Sequence, residues 1–128
     1  GGHVAFMWGT QTLVTYEHIP EAGALRPLAR TSGEDFATFD GRMMGMAIDS
    51  GLVFVVTPHH LHVLQAETLR EVERIRLADW SGHVLDEASL FGSAELPGNP
   101  VAARNGEVHI ASRSHYAVYD ASNCIENE

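Results

Sequence analysis

Three short stretches of this chain open with a glycine and continue with apolar residues two positions apart. They are Gly2-His-Val-Ala-Phe6, Gly51-Leu-Val-Phe-Val55 and Gly106-Glu-Val-His-Ile110. Residues two apart point to the same face of a β-strand, whereas a helical face needs spacings of three and four. Each stretch is followed by a polar connection and a second apolar run, at residues 13–16, 61–64 and 116–119. Each unit is therefore predicted to contain a β-hairpin.

The three glycines recur at intervals of about 50 residues, and periods of about 40 to 50 residues with a hairpin in each unit are typical of β-propeller blades. Further strands are predicted at residues 24–29, 46–50, 71–77 and 100–104. We therefore expect an all-β chain of antiparallel, four-stranded, blade-like repeats. The 128 residues form one domain of about three repeats, at approximately 1–45, 46–99 and 100–128.

The central segment, from Leu52 to Ile75, resembles a blade of the YVTN-type or quinoprotein-like propeller repeats. In those repeats an apolar strand is followed by a Val-x-Asp-x-x-Thr-like turn and then by an outer strand. Gln65 stands at the aspartate position in the central repeat, and Asp120 stands there in the last one. The resemblance implies a partial β-propeller, because whole blades have four strands and the first and last units each lack one, which leaves ten strands where three blades need twelve.

A competing interpretation concerns residues 66–80. Apolar residues recur there every three positions, at Ala66, Leu69, Val72 and Ile75, among good helix formers. That spacing is compatible with an amphipathic helix, which would make the domain α+β.

An incomplete propeller leaves uncovered sheet faces and unpaired strand edges, which favour association with another chain. We therefore expect either a homo-oligomer or a ring whose remaining blades belong to another polypeptide.

The net charge of −9 argues against a nucleic-acid partner, since a phosphate backbone requires a basic face. No apolar run is long enough to span a bilayer, so a soluble product without a membrane partner is expected. The composition does not identify the cellular compartment. The resemblance allows a periplasmic or extracellular location.

Four histidines are candidate ligands of a transition metal such as copper or zinc. They are His59, His60, His62 and His115, the last of which aligns with His60 when the repeats are superposed. Residues two apart share a strand face, so His60 and His62 can offer two imidazoles to one ion. The alternative is a cofactor-free polar hairpin turn at residues 58–60, with His62 pointing outward between buried neighbours.

In a propeller, the turn between the two middle strands of each blade and the connection from one blade to the next emerge on the same rim. The two longest connections, residues 30–45 and 78–99, are connections of this second kind. That rim is predicted to bind a polar ligand or a protein through Asp40, Arg42, Trp80, His83 and Arg113. Loops on rigid sheets are where recognition usually resides.

Catalytic signatures are weak. Met43, Met44 and Met46 suit Cu(I) by their soft thioethers, but gap-filling beneath a loop is the alternative. Cys124 has no local basic partner, and the chain contains no lysine, which excludes a Walker-type phosphate loop.

The sequence therefore favours a non-catalytic binding or scaffolding module. The alternative is part of a periplasmic quinoprotein- or copper-type oxidoreductase with a histidine-containing metal site, and a third hypothesis is a pH switch carried by the eight histidines.

Overall fold

The computed structural model of the chain describes residues 2–8, 12–31, 43–57, 60–76, 101–111 and 116–126. The described part of the chain is built almost entirely from strands, which confirms the predicted all-β class. The strands are β1 (His3–Trp8), β2 (Thr12–Ile19), β3 (Ala24–Arg30), β4 (Gly45–Asp49), β5 (Leu52–Val56), β6 (His60–Gln65), β7 (Glu71–Arg76), β8 (Val101–Arg104), β9 (Glu107–Ala111) and β10 (Tyr116–Asp120). A 3-10 turn at Pro20–Ala22 and one short helix, α1 (Ser122–Glu126), accompany them. No helix among these residues is long and apolar enough to cross a membrane.

The strands form three antiparallel sheets in which sequence neighbours are also spatial neighbours. Sheet 1 has the order β1-β2-β3, sheet 2 the order β4-β5-β6-β7, and sheet 3 the order β10-β9-β8. Such an order needs only hairpin connections within each sheet. Between sheets, β4 lies against β8 and β1.

The helix proposed for residues 66–80 is wrong for the part of that range that the structure describes. Residues 66–68 form a turn, and β7 pairs with β6 across the register Leu61↔Ile75. Leu69 has a φ of 59°, which a right-handed helix excludes. Pairing with β6 and burial of Ile75 against the core override the helix propensity of the charged residues. Residues 77–80 lie outside the described part of the chain.

The glycines that open the second and third stretches sit in tight hairpin turns. Ser50 and Gly51 have φ values of 53° and 77°, and Asn105 and Gly106 have φ values of 53° and 83°. Two consecutive positive φ values characterise the two-residue I′ turn, which matches the twist of the flanking strands. Glycine is required because it adopts this conformation without a steric penalty.

The core lies on both faces of sheet 2. One face of sheet 2 packs against sheet 3 and includes Phe54, Leu61 and Val63, whereas the other packs against sheet 1 and includes Val53 and Val55. All five residues of β5 are completely buried, so this strand is continuously apolar instead of alternating. A strand covered on both sides is expected to show that composition.

Contacts between neighbouring sheets join the ends at which the I′ turns lie. The Gly106 amide donates a hydrogen bond to Oδ2 of Asp49 at 3.1 Å, and Nε2 of His3 lies 4.0 Å from Oε1 of Glu67. We call this the turn end. The strand register places the other strand termini at the opposite end, which we call the connection end. Its described termini flank residues 9–11, 32–42, 58–59, 77–100 and 112–115.

Candidate functional site

His62 is the one predicted site residue that the structure places deep in the core. It lies in β6 opposite Val55 of β5, on the face that sheet 1 covers, and its exposure is 0%. The alternative in which His62 points outward is therefore wrong. Sheet 1 covers the face of β6 that would otherwise meet solvent.

Both ring nitrogens of His62 have polar partners. Nε2 lies 3.0 Å from Oγ1 of Thr57, and Nδ1 lies 2.6 Å from Oε2 of Glu71. Glu71 is in turn held by Arg74, whose Nη2 donates to Oε1 at 2.8 Å. Thr57 can also donate its hydroxyl proton to the backbone oxygen of His60, at 3.3 Å. We call Thr57, His60, His62, Glu71 and Arg74 the histidine cluster.

The histidine cluster links three consecutive strands of sheet 2, because Thr57 directly follows β5 and Glu71 opens β7. A carboxylate on Nδ1 fixes the orientation of an imidazole, an arrangement found around metal-bound and catalytic histidines and also in buried structural ones. An ion bound at Nε2 of His62 would have to replace the hydroxyl of Thr57. The visible chemistry of this histidine is therefore cross-strand hydrogen bonding.

His60 lies beside His62, as the two-residue spacing predicts. Their ring centroids are 5.7 Å apart and the ring planes are tilted by 51°. In the part of the chain that the structure describes, no three His, Cys, Asp or Glu side chains form a group that could hold a metal ion. His59 and His115 lie outside the described residues, so the copper or zinc site stays a prediction.

The predicted ligand-binding residues also lie outside the described part of the chain. They are Asp40, Arg42, Trp80, His83 and Arg113. The structure does describe the strand termini on either side of them, and those termini lie at the connection end. His60, at the start of β6, belongs to the same end.

The clustered methionines contribute to packing. Met43 is 1% exposed within the core between sheets 1 and 2, and Met46 packs against the same cluster. Met44 packs against the core between sheets 2 and 3. The gap-filling interpretation is confirmed, because these flexible side chains occupy both cores around the start of β4.

Cys124 lies in a groove of about 470 Å³ between β7 and α1. Its Sγ donates a hydrogen bond to Oε2 of Glu73 at 3.0 Å. Burial and then the Glu73 carboxylate raise the pKa of the thiol to about 11, which keeps it protonated and poorly nucleophilic. Sequence spacing did not reveal Glu73, which is distant along the chain and meets Cys124 only through sheet packing.

Gln65 and Asp120, which occupy equivalent repeat positions, each stabilise the turn that follows their strand. Oε1 of Gln65 accepts a hydrogen bond from the Thr68 hydroxyl at 3.2 Å, and Oδ1 of Asp120 accepts one from the Ser122 amide at 2.9 Å. The bonds from Ser122 lower the pKa of the exposed Asp120 carboxyl. Both oxygens therefore support the turn after the strand.

The sequence matches no protein-family model and no curated protein.

Proposed function

We propose that this chain is a non-catalytic binding or scaffolding module of β-propeller type, which presents its connection end to a protein or a small ligand. The observation that carries the proposal is the difference between the two ends of the sheets. Tight I′ turns and inter-sheet contacts occupy the turn end, whereas the strand termini next to the longest connections gather at the other end. Long connections held by rigid strands are suited to recognition.

The strand registers support the propeller type. In sheet 2, Leu52 pairs with Gln65, and in sheet 3 Glu107 pairs with Asp120. These pairs coincide when the second repeat is shifted along the sequence so that Gly51 falls on Gly106. Blades of one architecture would share such a register.

A recurrent backbone hydrogen bond supports the same view. The Gly51 carbonyl accepts from the Ala66 amide at 2.9 Å, and the Gly106 carbonyl accepts from the Ala121 amide at 2.7 Å. In sheet 1 the Gly2 carbonyl accepts from the His18 amide at 2.8 Å. Sheet 1 thus forms the same backbone hydrogen bond, with one more residue between the glycine and the amide that donates to it.

The described polar groups favour binding over catalysis. The buried imidazole of His62 is engaged by Thr57 and Glu71, and the Cys124 thiol is held protonated by its burial and by Glu73. Each pair joins elements of the fold, so these side chains act as structural contacts. Cys124 does line a groove, but its protonated thiol is a poor nucleophile.

Affinity capture from an extract of the producing cells tests the proposal. The bait is the wild-type chain or a variant in which a short Gly/Ser linker replaces residues 78–99. Bound proteins are fixed by carboxyl-reactive cross-linking, because the chain has no lysine for amine-reactive reagents. A retained partner should be lost with the variant, although the variant keeps its far-UV circular dichroism and melting temperature. Retention by both baits, with cross-links on Glu21 and on the glutamates of β7, contradicts the proposal, as does stoichiometric copper with redox turnover.

A further inference from the structure

The two internal sheet contacts are built from the same two kinds of face. We call the face of sheet 2 that carries Phe54, Leu61 and Val63 a leading face, and the opposite one, with Val53 and Val55, a trailing face. The leading face of sheet 2 packs against the trailing face of sheet 3. The leading face of sheet 1 packs in the same way against the trailing face of sheet 2.

Two faces are left over at the ends of the stack. The leading face of sheet 3 includes His109, Tyr116 and Val118, and the trailing face of sheet 1 includes Phe6 and Tyr16. In the described part of the chain, no strand of another sheet packs closely on either face. Exposure varies across the trailing face of sheet 1, because Val14, opposite Phe6, is only 6% exposed. One end of the stack therefore presents a leading face and the other end presents a trailing face.

Equivalent positions show how much apolar surface this leaves uncovered. Leu61 and Val63 in sheet 2 are 0% exposed, whereas their equivalents in sheet 3, Tyr116 and Val118, are 64% and 46% exposed. On the other side, Phe6 is 41% exposed, although its equivalent in sheet 2, Val55, is 0% exposed. Both equivalences follow from aligning the glycines that open the three stretches. Burying such side chains against another sheet stabilises an interface through the hydrophobic effect.

We propose that a second copy of this chain covers these faces in a head-to-tail arrangement. The leading face of sheet 3 in each copy packs on the trailing face of sheet 1 in the other, which repeats the face pairing of both internal contacts. Two copies of a three-sheet stack supply six sheets, within the range of about four to eight blades found in propellers. A heterologous contact of this kind closes into a ring when its rotation permits. The inference rests on the proposed propeller type and adds the partner.

The side chains on the two faces are chemically compatible. Phe6 and Tyr16 form an edge-to-face pair with centroids 5.7 Å apart, an aromatic surface onto which Tyr116 and Val118 can pack. Apolar side chains at the centre of both faces favour association.

Analytical ultracentrifugation of the whole chain and three arginine variants tests this arrangement. Val118→Arg places a charge on the leading face of sheet 3, and Phe6→Arg places one on the trailing face of sheet 1. Val72→Arg on β7 is the matched control, because Val72 is 37% exposed and lies on sheet 2. Wild type and the control should sediment as dimers, with twice the mass of the 14.0 kDa chain, and each face variant should sediment as a monomer.

Mixing the two face variants provides the decisive step. In a head-to-tail dimer of Val118→Arg with Phe6→Arg, both charges fall in one contact and the other contact is wild type, so the mixture should regain a species with the mass of the dimer. A contact between like faces would respond to only one variant and would not be rescued by mixing, which overturns the proposal. Tyr116→Glu serves as a second leading-face variant if Val118→Arg lacks the wild-type circular dichroism spectrum.

A wild-type chain that stays monomeric at every concentration also overturns the proposal, whether or not it captures sheets from a different polypeptide. This failure is distinguishable from failure of the proposed function. A monomer whose capture of a partner still depends on residues 78–99 keeps the binding module and loses only the second copy. A dimer that captures its partner equally well without residues 78–99 keeps the second copy and loses the proposed binding module.

Discussion

At the scale of single residues, the histidine cluster shows how a predicted ligand can serve the fold. His62 and His60 are neighbours on one strand face, but only His62 is completely buried with both nitrogens engaged. The residue pattern predicted the shared face. The partners Thr57 and Glu71 were not predictable, because Glu71 reaches His62 through the register of β6 and β7, which includes a bulge.

Replacing each histidine by alanine separates the structural role from a ligand role. His62→Ala should lower the free energy of unfolding by about 2–4 kcal/mol, because it leaves Glu71 and Thr57 without the imidazole and opens a cavity. His60→Ala, at a half-buried position, should cost less than about 1 kcal/mol. Urea denaturation measures both values. Equal losses for the two variants would contradict the structural role of His62.

The reactivity of Cys124 should depend on Glu73. With a pKa raised from the ordinary 9.0 to about 11, the thiol should be alkylated slowly at pH 8 and faster as the pH rises toward 11. Glu73→Gln removes the negative charge, so the whole rate profile should move to lower pH. Because the raised pKa favours the protonated thiol in the folded state, its stabilising contribution is present below pH 9 and lost as the pH rises through about 11.

Iodoacetamide kinetics followed by mass spectrometry provide the measurement, with Glu21→Gln in the distant 3-10 turn as the control. A Glu73→Gln profile that coincides with that of wild type would show that the carboxylate does not govern the thiol.

At the scale of elements, local signals predicted the strands well. The period of two and the glycine-led turns act within a few residues, and the strands of all three sheets lie close to their predicted positions. The helix α1 was missed because it has only five residues and follows from the hydrogen bond between Asp120 and Ser122. The sequence of residues 71–76 was compatible with a strand and with an amphipathic helix. Pairing with β6 makes this segment a strand.

The I′ turn between β8 and β9 offers a test at this scale. Asn105 has a φ of 53°, a conformation that asparagine tolerates better than alanine. Asn105→Ala should therefore lower the free energy of unfolding by about 1 kcal/mol. Asn123→Ala is the control, since Asn123 lies in α1, where alanine is favourable. Thermal denaturation that shows no difference between the two variants would contradict the turn assignment.

At the scale of the whole molecule, burial on both sides of sheet 2 organises the fold. The continuous apolar run from Leu52 to Val56 is completely buried, because sheets 1 and 3 cover the two faces of sheet 2. Sequence periodicity assigns residues to a face but does not identify the sheet that covers it. The predicted ligand residues depend on the connections, whose conformation no short-range pattern determines.

Amide hydrogen exchange followed by NMR tests the enclosure of sheet 2 most directly. Amides of β5 and β6, within Leu52–Val56 and His60–Gln65, should exchange only through global unfolding, whereas amides of β3 at the edge of sheet 1 should exchange through local opening and hence faster. Exchange in β5 and β6 that is as fast as exchange in β3 would contradict a central sheet enclosed between two others.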